Sequence, residues 1–219
     1  MRRLTVLLAV LLVGAGSLPG AAVAAPADYD IDTASSRHVI VNKQRPLSPQ
    51  TYRPANLVRI TGILVRSDAA DAYKKFTRAA KAAGVSITLV SGYRSYAQQE
   101  SLYNSYVRQY GQEVADTLAA RPGFSEHQTG LAVDIGNPSG TCALEECFEN
   151  TPAGRWATEH ADEYGFVLRY PKGYGAVTGY SYEPWHLRYV GPELEAEFRL
   201  SGQPTLEDFF GLPPAPDYS

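Results

Sequence analysis

The stretch Ser125-Glu126-His127-Gln128-Thr129-Gly130-Leu131-Ala132-Val133-Asp134-Ile135 begins polar and passes a histidine. It turns at Gly130, then runs apolar with one carboxylate inside the run. The apolar part, Leu131 to Ile135, reads as a short strand. Working upstream, Tyr73, Phe76, Ala80 and Ala83 recur at steps of three and four from Asp68, the spacing of an amphipathic helix closed by Gly84. Val85 to Val90 reads as a buried strand ending at the Ser91-Gly92 turn. Ser95 and Gln98 form a capping box for a second helix carrying Leu102, Tyr103, Tyr106, Val107 and Tyr110. A shorter helix over Glu113 to Ala120 is broken by Arg121-Pro122-Gly123.

Downstream, 137–150 reads as a loop holding Cys142 and Cys147. Thr151 caps a third long helix with Pro152 at its first position, and Gly165 ends it. Phe166 to Tyr170 and His186 to Val190 read as strands, separated by a Gly- and Tyr-rich hairpin or loop. Pro192 opens a final helix through Leu194 and Phe198. Before Asp68, Pro46, Pro49 and Pro54 mark an irregular, wrapping connection, so regular structure is expected to begin near Asp68. Helices and strands mix without strict alternation, which points to the α+β class.

The 219 residues suit one catalytic domain with appendages. A net charge of −3 argues against a nucleic-acid partner and against a polybasic membrane patch. Arg2-Arg3, the apolar run Leu4 to Val13 and the small residues before Pro26 form the pattern of a secretory signal peptide over 1–25. The run is shorter than the roughly 20 residues a membrane span needs, so no stable span is expected after cleavage. Residues 26–37 read as a flexible leader and 38–219 as the domain. Export places the protein outside the cytoplasm, secreted or at the cell wall. In that compartment Cys142 and Cys147 are expected to pair as a disulfide closing a small loop. The rival reading, a second metal site, lacks two soft ligands, since Glu145 and Glu146 are poor partners for a soft metal.

Of four histidines, His127 and His186 stand out. With Asp134 they form a ligand set sufficient for one catalytic Zn2+, leaving a position for water whose pKa falls to about 7. Such a site needs neutral imidazoles and an ionised carboxylate, so activity should fall in acid. On spacing alone, a capping Asp and a surface His explain the same residues. Glu183, three residues before His186, is the candidate base. Residues three apart on a flat strand point to opposite faces, so Glu183 to His186 must be interrupted, which Pro184 suits.

Several long motifs, in order from about residue 39 to 192, resemble the VanY-type D-alanyl-D-alanine carboxypeptidases. They are Asn42-Lys43 with Pro46-Leu47, Ser91-Gly92-Tyr93-Arg94-Ser95-Tyr96, Gln99 with Leu102 to Tyr106, Ser125 to Asp134, Tyr164 to Pro171, and Glu183-Pro184-Trp185-His186-Leu187-Arg188 through Gly191. The resemblance implies a single zinc-peptidase domain with a small antiparallel sheet flanked by helices. It implies one Zn2+ on His127, Asp134 and His186, with Glu183 as catalytic base. Arg94 would stabilise charge on the tetrahedral intermediate. Gln99 and Ser125 would lie near the terminal carboxylate of the substrate, a peptidoglycan stem peptide losing its D-alanine. The resemblance leaves two substrate ends open, D-Ala-D-Ala and L-Lys- or diaminopimelate-D-Ala. A wall-binding module without catalysis is the other class, and it would need neither Glu183 nor Arg94. A serine-type carboxypeptidase would need a Ser-x-x-Lys tetrad, which the chain lacks.

Glu126 beside His127 reads equally as a group that tunes the site and as an exposed charge, and the bland readings elsewhere are a solvated His38, a structural His160 beside Glu159 and Glu163, and core packing for Trp156 and Tyr164. The sequence is silent on oligomeric state.

Overall fold

A computed structural model describes residues 29–218, so the signal-peptide reading lies outside the described residues. Two short strands come first, β1 (Leu57–Ile60) and β2 (Ile63–Arg66), paired antiparallel around a Thr61-Gly62 turn. The proline-rich reading missed this hairpin. Helix α1 (Ser67–Ala82) follows directly, then β3 (Thr88–Ser91), α2 (Tyr96–Tyr110) and α3 (Gln112–Leu118). Strand β4 (Ala132–Gly136), helix α4 (Pro152–His160) and strand β5 (Phe166–Leu168) come next. A single turn, α5 (Gly175–Thr178), lies in the Gly/Tyr-rich segment before β6 (His186–Tyr189), α6 (Pro192–Ser201) and α7 (Leu206–Phe209).

Strands β3 to β6 form one antiparallel sheet in the order β3-β4-β6-β5. Its period-two alternation separates two chemistries. Val133 and Ile135 of β4 and Leu187 and Tyr189 of β6 join the main core with Phe76 of α1, Phe166 and Phe148. Asp134, His186 and Arg188 alternate with those residues and are buried on the other face. Asp134 pairs directly with His186 across β4–β6, and Ala132 with Arg188. All five residues of β4 are buried, because the sheet is covered on both sides.

The caps read from sequence form. Ser95 and Gln98 make the reciprocal capping box of α2, and Thr151 accepts from the Gly154 amide with Pro152 at the first turn of α4. The stretch read as a flexible leader packs over its described part. Ala34 is buried with Val39, Val41 and Leu47, and the Tyr29 hydroxyl donates to Glu197 at 2.9 Å. Such a segment docks because it carries apolar side chains onto an apolar face. Among the described residues no helix is long and apolar enough to cross a membrane.

Candidate metal centre and substrate cavity

His127 lies in a 3-10 turn, Glu126–Thr129, that the left-handed Gly130 (φ +70°) ends. A Cβ there would sit 3.1 Å from Leu57 Cδ2 and 3.2 Å from the Arg66 amide nitrogen, so the hairpin pressing on this turn demands glycine. Gly92 is required for a different reason. A Cβ would lie 2.5 Å from the Leu64 carbonyl oxygen, and that tight fit lets the Gly92 carbonyl reach His127 Nδ1 at 2.7 Å. The bond leaves Nε2 turned toward Asp134, 3.1 Å from Oδ2. His186 Nδ1 stands 3.1 Å from the other oxygen of Asp134, Oδ1. Ligand atoms of His127, Asp134 and His186 all lie within 4.8 Å of one another.

The donor set fits a divalent cation. On each imidazole one nitrogen faces the shared point and the other has an acceptor: Gly92 O for His127, and the Glu126 carboxylate for His186 Nε2 at 3.4 Å. Acceptors of this kind fix the tautomer of a metal-binding imidazole. Electrostatics agree. Burial alone would raise the Asp134 pKa, but His127 and His186 hold it far below the usual carboxylate range. Burial lowers His127. His186 would be lowered likewise, yet its bonds to Asp134 and Glu126 push it up to about 10, so a metal cation at this point would take the place of a proton.

Glu126 is the main correction to the sequence reading. An exposed charge was as good an expectation as a tuning role, yet Glu126 is only 2% exposed. Its Oε1 accepts from Arg169 Nε at 2.8 Å and from Arg188 Nη1 at 2.9 Å. Arg169 also grips Glu207 of α7 through both terminal nitrogens, at 2.8 and 2.6 Å. Burial would raise Glu126, but the two guanidinium groups pull it well below the ordinary range. Sequence reasoning missed Arg169, Arg188 and Glu207. Arg169 and Arg188 both lie inside the quoted motifs, and Arg188 also stands two residues beyond His186 and so on its face of β6.

Glu183 precedes a turn at Pro184-Trp185 that closes with the His186 amide donating to the Glu183 carbonyl at 3.1 Å. The turn answers the strand problem: both side chains face one point, with Glu183 Oε2 3.7 Å from His186 Nδ1. Although 24% of its side chain remains exposed, the surrounding protein pushes the Glu183 pKa up to about 7.

These residues line a cavity of about 630 Å³, and Arg94, Gln99 and Ser125 also lie in its wall. Arg94 follows the Gly92 turn, and its amide donates to the His127 carbonyl at 3.1 Å. Its guanidinium is held by Gln99 Oε1 at 2.9 Å and Ser91 Oγ at 3.2 Å. Gln99 is fully buried, and its amide nitrogen donates to the Ala120 carbonyl at 2.6 Å. It therefore bridges Arg94 to the backbone instead of projecting into the cavity as a free donor. Ser125 is buried at the entry to the 3-10 turn. Cys142 and Cys147 form a disulfide, so no thiolates remain for a second metal, and their loop brings Leu144, Glu145 and Glu146 to the cavity rim. His160 is satisfied by Glu163 at 2.8 Å and lies tilted against the Trp156 ring, as a structural histidine would. His38 packs edge-on against Tyr29.

The family model for VanY, D-alanyl-D-alanine carboxypeptidase, matches residues 62–192. The chain belongs to the VanY family of D-alanyl-D-alanine carboxypeptidases. Among its VanY-type relatives it is 42% identical over 181 residues to the putative carboxypeptidase YodJ of Bacillus subtilis, covering 78% of this chain and 66% of that one. A solved LD-carboxypeptidase, LdcB, aligns at 40% identity and a TM-score of 0.76, covering 81% of this chain and 87% of that chain. A vancomycin-resistance D,D-pentapeptidase, VanY, solved with Zn(II), aligns at 31% identity and 0.67, covering 78% and 97%.

Proposed function

We propose that this chain is an exported zinc carboxypeptidase that removes the terminal D-alanine from peptidoglycan stem peptides. The observation that carries the proposal is the convergence of two imidazoles and one carboxylate on a single point of the cavity wall, with a fourth group, Glu183, 3.7 Å from His186. The four-residue set suits this chemistry because His127, Asp134 and His186 would hold Zn2+ and leave a coordination position open to the cavity. Zinc there supplies Lewis acidity toward the scissile carbonyl and makes hydroxide available near neutral pH.

The chain's own groups do the rest. Glu183, lifted to about 7, is matched to taking a proton from attacking water and passing it to the leaving amine. Arg94, anchored by Gln99 and Ser91, presents a fixed cation for the oxyanion that develops on the substrate. A cavity of about 630 Å³ has room for several residues of a stem peptide rather than one alanine. The stronger likeness to an LD-carboxypeptidase (40% identity) than to a D,D-pentapeptidase (31%) favours a tetrapeptide ending in L-Lys- or diaminopimelate-D-Ala.

Mass spectrometry of defined muropeptides, with zinc-loaded and chelated protein, tests this. D-alanine should be released only by the loaded protein. Glu183→Gln should keep its zinc and lose release by about 10²-fold or more. A variant that hydrolyses normally would remove Glu183 from the mechanism.

A further inference from the structure

We infer that Tyr218, in the C-terminal segment, is a positioning residue for Arg94 and acts through one peptide group. The inference rests on the role given to Arg94 above. The peptide joining Ala120 to Arg121 is engaged on both sides. Its carbonyl oxygen accepts from Gln99 Nε2 at 2.6 Å, and its N–H donates to the Tyr218 hydroxyl at 2.8 Å. Gln99 Oε1 in turn accepts from Arg94 Nη1 at 2.9 Å. A line of three hydrogen bonds therefore runs from a ring hydroxyl to the guanidinium that faces the cavity.

Each link has a physical reason to matter. Residues 119–121 lie beyond α3 and in no strand, so no ladder orients this peptide plane. Asp116 grips the Arg121 guanidinium at 3.0 and 2.8 Å, which anchors the side chain and not the peptide. Tyr218 can orient it because its own ring is pinned. Phe124 meets it edge-on at 5.1 Å, the Arg121 guanidinium lies 4.2 Å from its centroid, and Lys43 holds the preceding segment through the Pro216 carbonyl at 3.0 Å. Donation by the Arg121 amide makes the Ala120 oxygen a stronger acceptor, and bonds in such a chain polarise one another. With the Gln99 amide fixed at one end, its oxygen is fixed at the other. Arg94 then has one guanidinium nitrogen held by this chain and one by Ser91. A group that stabilises charge only in the transition state must be aimed, and loss of aim lowers turnover rather than binding.

Tyr218→Phe removes the hydroxyl and keeps every ring contact, so the protein should fold. The test uses the full zinc-loaded chain and a tetrapeptide stem ending in diaminopimelate-D-Ala. The expected result is kcat lowered about tenfold with KM changed less than about twofold, and no further loss when Tyr218→Phe is added to Arg94→Lys. Independently of turnover, 15N NMR of the Arg94 guanidinium should show restricted rotation about its Nε–Cζ bond in the parent protein and loss of that restriction in Tyr218→Phe. Unchanged Arg94 rotation in the variant overturns the inference. So does an equal loss of kcat in the Arg94→Lys background. If the parent protein releases no D-alanine at all, the proposed function fails, while the NMR comparison still decides the role of Tyr218.

Discussion

Glu126 has the tightest ties of any acidic side chain around the candidate metal centre. It touches His186 on one side and two fully buried arginines on the other. In Glu126→Gln the neutral amide is a weaker partner for His186 Nε2, and zinc affinity should fall about 10- to 100-fold. Competition against a zinc-binding dye measures this. The same change removes one of two anions facing Arg169 and Arg188, so thermal stability should fall too, by about 3 kcal/mol or more. The burial of Glu126 was not legible in the sequence. Its partners lie 43 and 62 residues away, and a Glu beside a His carries no mark of what will cover it. His127, Asp134, His186 and Glu183 were legible because they sit inside long motifs. Gln99 was placed at the site, but its contacts are with Arg94 and the backbone. A side chain's direction depends on tertiary neighbours that spacing does not reveal.

At the scale of elements, the capped helices were the clearest. The Ser95/Gln98 box starts α2 one residue later, at Tyr96, and α2 delivers Gln99 to Arg94. Ser95→Ala should cost about 1 kcal/mol of stability by thermal denaturation, since it orphans the Gln98 amide. The β1–β2 hairpin went unread for a physical reason. Its strands are four residues each, with the adjacent Val58 and Arg59 of β1 both exposed and the adjacent Val65 and Arg66 of β2 both buried, so they lack the alternation of a strand with one buried face. Prolines on the approach also dominated the local signal. The hairpin nonetheless bears on the site, because the backbone at Leu64 packs against Gly92 and the backbone at Arg66 against Gly130. By contrast, the alternation within β4 and β6, which puts Asp134 and His186 on one face, follows from period two once the strands are recognised.

For the whole molecule, α6 and α7 pack with Ile40, Val167 and Val190 in a second apolar cluster, and α6 brings a liability with it. Glu195 is 5% exposed, and burial and nearby Asp162 push its pKa up to about 7 from 4.5, against the pull of Arg199 3.9 Å away. A carboxyl whose pKa rises on folding leaves stability intact below its unfolded value. It lowers stability progressively as pH rises from 4.5 to about 7. Glu195→Gln should therefore match the parent near pH ~4 and exceed it by about 1 kcal/mol near pH ~8, after allowance for solvent screening. Melting curves across that range measure the difference. The α+β class was readable from mixed elements, whereas the docking of 29–37 was not, since its few apolar residues lack any period.

The most direct test of the metal centre is a crystal structure of the zinc-loaded protein with anomalous scattering recorded at the zinc edge. The expected result is one peak about 2.0–2.2 Å from His127 Nε2, His186 Nδ1 and an oxygen of Asp134, with the Glu183 carboxylate beside it. A zinc ion bound elsewhere, or a peak that leaves any of the three side chains outside coordination distance, would contradict it.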